Sequence, residues 1–260
     1  MNFTWFATAF DTDDWLYRLL TLLQMSGVLV LAAGIPAAMN DGDFAIMTFG
    51  YAIMRLALVP QWIRAAVANP QLRRTALRYA IGITIVQLLW IARLSLVSLS
   101  SELNLAVFVV LVLAELFVPV FAELRRPTPW HPEHITERYG LFTIILLGES
   151  ILASANSIVD ALVHTEHIAP LIGIAATGMV LAAGMWWIYF AREHREHIEL
   201  GFGRAILFGY GHYFIFAAAG AFSAGIELAI DLSTGDTKLE VSRTRAHPPL
   251  SSPGELARAH

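Results

Sequence analysis

Residues 103–123 read LNLAVFVVLVLAELFVPVFAE, an apolar run interrupted at its middle by one carboxylate, Glu115. A helix needs roughly 20 apolar residues to cross a bilayer, and this run supplies them. Six further runs of similar length flank it, so spans are predicted at 15–39, 43–66, 76–99, 103–123, 137–162, 168–191 and 203–229. The predicted fold is all-α, a polytopic transmembrane helix bundle with about seven spans. Composition agrees: 57 % of residues are hydrophobic and only 15 % charged, and the mean hydropathy is +0.59. A soluble domain of this length could not hide that much apolar surface.

The loops give an orientation. Loop 64–78 carries Arg64, Arg73, Arg74 and Arg78; segment 124–138 carries Arg125, Arg126 and Arg138; segment 192–204 carries Arg192, Arg195 and Arg204. The intervening loops 40–43, 100–102 and 160–167 have no Lys or Arg and hold Asp41, Asp43, Glu102, Asp160 and Glu166. Short basic loops resist translocation, so the arginine loops are expected on the cytoplasmic side, with the N-terminus inside. After Asp231 the composition turns polar, rich in Ser, Pro, Thr and Arg. Residues 1–231 are therefore expected to form the transmembrane domain and 232–260 a disordered polar tail. The first ten residues, MNFTWFATAF, lack the basic n-region and cleavage site of a secretory signal.

Several function classes lose support. The net charge of −4 and the lack of a basic tract give nucleic acid no footing. Without cysteine there is no disulfide, thiolate nucleophile or zinc–thiolate site. Helix boundaries follow local chemistry: Asp11, Thr12, Asp13 and Asp14 suit a cap on the first span, and Pro127, Pro129 and Pro132 suit a non-helical segment before the fifth. Pro36, Pro60 and Pro119 are expected to bend their helices. Ala217, Ala221 and Gly225, with Gly220 and Ala224, repeat every four residues and suit close packing of the last two spans.

Ionisable residues at mid-span are the strongest functional clue. Arg55 lies in the second span, Arg93 in the outer half of the third, Glu115 in the fourth, Glu149 in the fifth, and His212 and Glu227 in the seventh. Each charge at the bilayer centre costs on the order of 2.5–3.5 kcal/mol. The charges are therefore expected to pair or to line a hydrated cavity. On the fifth span, Arg138, Glu149, Asn156 and Asp160 fall within about 40° of one another at helical spacing. That stripe reads either as a wall of a polar pathway centred on Glu149, or as a face whose Glu149 pairs with Arg55 or Arg93. The intramembrane polar site is accordingly predicted at Arg55, Arg93, Glu115, Glu149 and Asn156.

Three His-x-Glu-His segments start at His131, His164 and His194. Spacing i, i+3 can place two imidazoles on one helix face, and the first and third pairs could share a metal on the cytoplasmic side. Pro132 speaks against a helix in the first pair, and neither a metal nor another cofactor is expected. No nucleotide-binding glycine loop or nucleophile elbow occurs, so an enzyme is the less expected reading.

The block from His134 to Leu152, HITERYGLFTIILLGESIL, resembles the signature of the bacterial low temperature requirement A (LtrA) family. FDTDDWLYRLL and AAGIPAAMNDG, within 5–65, resemble it too. The matching motif members are His134, Glu137, Arg138, Tyr139, Gly140, Gly148, Glu149 and Ser150. The resemblance spans about residues 3–231 and implies a multi-pass protein of the bacterial inner membrane. It implies no biochemical activity and no catalytic residue. It also implies two helices before Met1 and further spans after Asp231, so the chain is expected to be truncated at both ends relative to the family. The function expected is a transporter or channel for a small solute or ion, with the bilayer as its surroundings. The alternatives are a non-transporting membrane protein for envelope or lipid homeostasis in the cold, or a metal-dependent membrane enzyme.

Overall fold

The computed structural model describes residues 2–10, 12–95, 100–164, 168–191, 198 and 201–234. Every regular element among them is a helix: α1 (Asn2–Ala9), α2 (Trp15–Ala33), α3 (Ile35–Asn40), α4 (Ala45–Ala68), α5 (Arg73–Arg93), α6 (Ser101–Glu123), α7 (Pro132–His164), α8 (Ile168–Phe190) and α9 (Phe202–Thr234). Seven helical segments among the described residues are long and apolar enough to cross a membrane, α2 and α3 counting as one. The protein is a multi-pass helical membrane protein.

Boundaries follow the sequence chemistry, with three corrections. The third span ends at Arg93 rather than 99, and 96–99 lie outside the described residues. The seventh continues to Thr234 rather than ending at 229, and residues from 235 lie outside the described residues. The fifth begins at Pro132. Proline is tolerated at a helix's first position, where its missing N–H has no intrahelical partner to lose, so it starts this helix instead of preventing it. Pro60 and Pro119 sit inside helices, and Pro36 opens α3 after the chain turns at Gly34, at the C-terminal end of the first span where a kink is expected.

Asp14 caps α2. Its carboxylate accepts the Tyr17 backbone N–H at 2.8 Å and pairs with Arg64 of α4. The Tyr17 N–H, more than the Arg64 guanidinium, holds this carboxyl below its ordinary range. Asp13 is lowered likewise by a two-pronged pair with Arg18. The Asp14 contribution is complete above the unfolded carboxyl value and is lost as pH falls through the depressed folded one. Asp14→Asn retains a capping oxygen but loses the charge. Its thermal midpoint should lie below that of the parent protein near neutrality, and the gap should close toward about pH 3. Parallel midpoints across that range would mean the Arg64 pair contributes nothing.

The chain divides into two compact units: residues 1–138 with 195–209, and residues 139–194 with 210–260. In the first, α2 and α4 meet backbone to backbone. A Cβ on Gly50 would lie 2.3 Å from Leu31 N, one on Gly34 2.5 Å from Met47 N, and one on Gly27 2.9 Å from the Gly50 carbonyl oxygen. The core of this unit is aromatic at one end. Trp62 stacks on Tyr79 with centroids 4.0 Å apart, and Phe6 and Phe10 from α1 and the segment after it meet Trp62 edge-on. In the second unit, Leu171, Ile226 and Ile230 form a buried cluster. There the expected small-residue stripe is not the packing seam. Cβ atoms at Gly220 and Gly225 would meet nothing within 4 Å, whereas one at Gly178 would reach Ile226 at 2.9 Å.

Candidate functional site

Helices α4 and α6 bring Arg55 and Glu115 together at mid-span. Arg55 Nη2 donates to Glu115 Oε2, and the two side chains are 8 % and 11 % exposed. The Tyr51 hydroxyl interacts with the same carboxylate, and the Tyr51 ring lies 5.8 Å from the guanidinium carbon. Asn2 on α1 turns its amide oxygen to accept from Arg55. The carboxylate that neutralises Arg55 within its unit is Glu115. Among the described residues no ion pair engages Arg93. Among the described residues its guanidinium has aromatic neighbours instead, 5.5 Å from the centroids of Phe44 and Phe108 and 6.0 Å from that of Trp90.

The pair is not the only buried polar group on its helices. Among the described residues, the buried side-chain N and O atoms without a hydrogen-bond partner are Arg55 Nε, both amide atoms of Gln61, Trp62 Nε1, both amide atoms of Gln87, Trp90 Nε1, Arg93 Nε and Glu115 Oε1. All belong to α4, α5 or α6. A buried polar group left unpartnered costs about 1–3 kcal/mol. Scattered, such atoms would read as local packing faults; gathered on three neighbouring helices, they mark a polar interior. Gln61 and Gln87 are 1 % and 0 % exposed, too deep to be satisfied from the surface.

The helical rise of 1.5 Å per residue sets the relative depths of these groups. Along α4, Arg55 lies about 6 Å beyond Tyr51, Gln61 about 9 Å farther, and Arg64 about 4.5 Å beyond that. Along α5, antiparallel to it, Arg93, Trp90 and Gln87 follow one another at three-residue steps. A cavity opens at each end. One, of about 350 Å³, is lined by Tyr17, Gln61, Arg64 and Asn69. The other, of about 760 Å³, is lined by Asp41, Asp43, Phe44, Arg93, Asn104 and Phe108.

Glu123 provides a contrast within the same unit. It is 3 % exposed, yet it accepts from Tyr79 Oη at 2.9 Å, Thr128 Oγ1 at 2.7 Å and Thr128 N at 3.2 Å. Its oxygens are occupied by the protein, so it ties α5 and α6 to the segment after α6. Glu115 differs in keeping one buried oxygen, Oε1, without a hydrogen-bond partner among the described residues.

The second unit holds the other predicted site residues. Glu149 and Asn156 are exposed on α7, and Glu227 is exposed on α9. The described part of this unit contains no Arg or Lys, so Glu149 finds no basic partner within it. Of the motif residues, Tyr139, Gly140 and Ser150 are buried, while His134, Glu137, Arg138, Gly148 and Glu149 are exposed. Tyr139 packs edge-on against His212 at 4.8 Å, and His212 Nε2 shares a 2.9 Å hydrogen bond with Tyr189 Oη. Of the buried motif residues, Tyr139 packs on this histidine, while Ser150 Oγ donates to the Leu146 carbonyl oxygen at 3.0 Å.

His131 and His134 stand 5.7 Å apart at the start of α7, and His134 faces Glu137 at 3.8 Å. Among the described residues no group of three or more potential ligands could hold a metal. The side chains of the other two His-x-Glu-His segments lie outside the described residues. Gln61, Gln87 and Glu123 were not singled out by the sequence. A search for charges alone passes over glutamines, and Glu123 sits at the edge of its apolar run.

The comparisons agree with this architecture. No curated protein and no solved structure matches the chain. The family model described as bacterial low temperature requirement A protein (LtrA) matches residues 1–251. That match takes in most of the compositionally distinct segment after 231 as well as every helix described above. The chain belongs to the bacterial low temperature requirement A family.

Proposed function

We propose that the first unit carries a transmembrane pathway for a small polar solute or ion, with Arg55–Glu115 as its central constriction and Arg93 at one mouth. The observation that carries this reading is the set of unpartnered buried polar atoms that α4, α5 and α6 hold besides the pair, with Gln61 lining one cavity and Arg93 the other. Internal waters would satisfy such atoms. A purely structural ion pair would not need polar groups above and below it. The alternation of arginine-bearing with acidic loops supports a cytoplasmic N-terminus, and membership of a bacterial family of multi-pass proteins supports the inner membrane.

The test is osmotic swelling of proteoliposomes, followed by light scattering against glycerol, urea, glycine, γ-aminobutyrate, NaCl and KCl. At least one solute should enter faster than into protein-free vesicles, and the excess should vanish when Arg55 and Glu115 are both replaced by leucine. Protein-free rates for every solute would overturn the proposal. Orientation is read separately with reporter fusions at loops 40–43 and 124–131, which should report opposite sides.

A further inference from the structure

The cavity at Arg93 sets opposite charges around one space without letting them pair. Arg93 ends α5, and its side chain lines the cavity together with Asp41 and Asp43 from the turn before α4. Phe44 and Phe108 flank the guanidinium, each ring centroid 5.5 Å from its carbon. Its Nε is buried without a partner, and among the described residues no ion pair or hydrogen bond engages its other nitrogens. Asp43 uses one oxygen to accept the Ala45 backbone N–H at 2.9 Å. Asp41 is exposed, with no side-chain partner among the described residues. Asn104 adds a neutral amide to the wall. Gly42, with φ +70, lets the turn carry both aspartates to the rim.

An anion alone would meet two carboxylates here, and a cation alone would meet the guanidinium. We infer that this cavity binds a zwitterion, with the anionic group on Arg93 and the ammonium toward Asp41 and Asp43. The volume of about 760 Å³ lies in the range of small-ligand pockets. The inference rests on the proposed pathway only in naming its solute class. The same chemistry exists in a free amino acid and in a phosphatidylethanolamine headgroup.

The experiment measures binding by the thermal shift of the purified full chain, with no need of flux. The soluble probes are glycine, β-alanine, γ-aminobutyrate, 6-aminohexanoate and phosphoethanolamine, with acetate and methylammonium as single-charge controls. The lipid arm compares nanodiscs of phosphatidylglycerol with and without phosphatidylethanolamine. At least one zwitterion should raise the midpoint where neither control does at the same concentration. Arg93→Gln and Asp41→Asn should each weaken its binding at least tenfold, and Arg93→Lys should keep part of it if the glutamine variant fails to fold. Response to a soluble zwitterion identifies a solute site; response only to phosphatidylethanolamine identifies a headgroup site. Acetate binding as well as any zwitterion, indifference to Asp41→Asn, or no response in either arm would overturn the inference. Zwitterion binding without flux would leave this site standing and remove the pathway; flux without zwitterion binding would do the reverse.

Discussion

Glu115→Ala is expected to destabilise the protein by about 3–5 kcal/mol, the cost of leaving a buried charge uncompensated. Arg55 would keep its position between Tyr51 and Asn2 but lose the one carboxylate that neutralises it. The double replacement Arg55→Leu with Glu115→Leu should recover most of that loss, because a well-packed apolar pair avoids the desolvation of both ions. Thermal midpoints and refolding from denaturing detergent would give the four corners of the cycle. The double variant is also the cleaner probe of function, being folded but lacking the polar constriction. If it is as unstable as Glu115→Ala, the destabilisation comes from lost shape rather than lost charge. If it is stable and still passes solute, the pair serves the fold alone.

Gly50→Leu should rank with Glu115→Ala in severity. A Cβ there meets Leu31 N and Cα at 2.3 and 2.7 Å. Both are backbone atoms, so no rotamer change relieves the clash, and α2 must move away from α4. Overpacking typically costs about 1–3 kcal/mol, and this position should reach or exceed the upper end because the contact is helix against helix. Gly225→Leu is the control, since a Cβ there meets nothing within 4 Å. It should leave the midpoint nearly unchanged. Equal losses in both variants would mean that side-chain bulk on an exposed helix, rather than the α2–α4 contact, decides the outcome.

The spans were legible because the bilayer imposes length and hydropathy on every crossing, whatever the helices touch. The partnerships were not. Hydropathy fixes how deep Glu115 and Glu149 lie but not which neighbour each faces, and both sit at mid-span. That Arg55 takes Glu115 depends on the rotation of α4 and α6 about their axes. Gln61 and Gln87 escaped because an amide is cheap enough to insert that hydropathy barely registers it. The α2–α4 seam escaped because Gly27 and Gly34 stand on one helix and Gly50 on another, with no four-residue repeat in either. Conversely, the repeat at Ala217, Ala221 and Gly225 has the right spacing, but exposed faces lie along it.

The pairing of Arg55 with Glu115 has an electrical consequence. A single charge moved through the full membrane voltage gains about 2.3 kcal/mol per 100 mV. The guanidinium and carboxylate together sum to zero, so a rearrangement that carries them as a unit does no electrical work. Protonating Glu115 leaves one positive charge at that depth, and from then on the voltage pulls on the centre of the bundle.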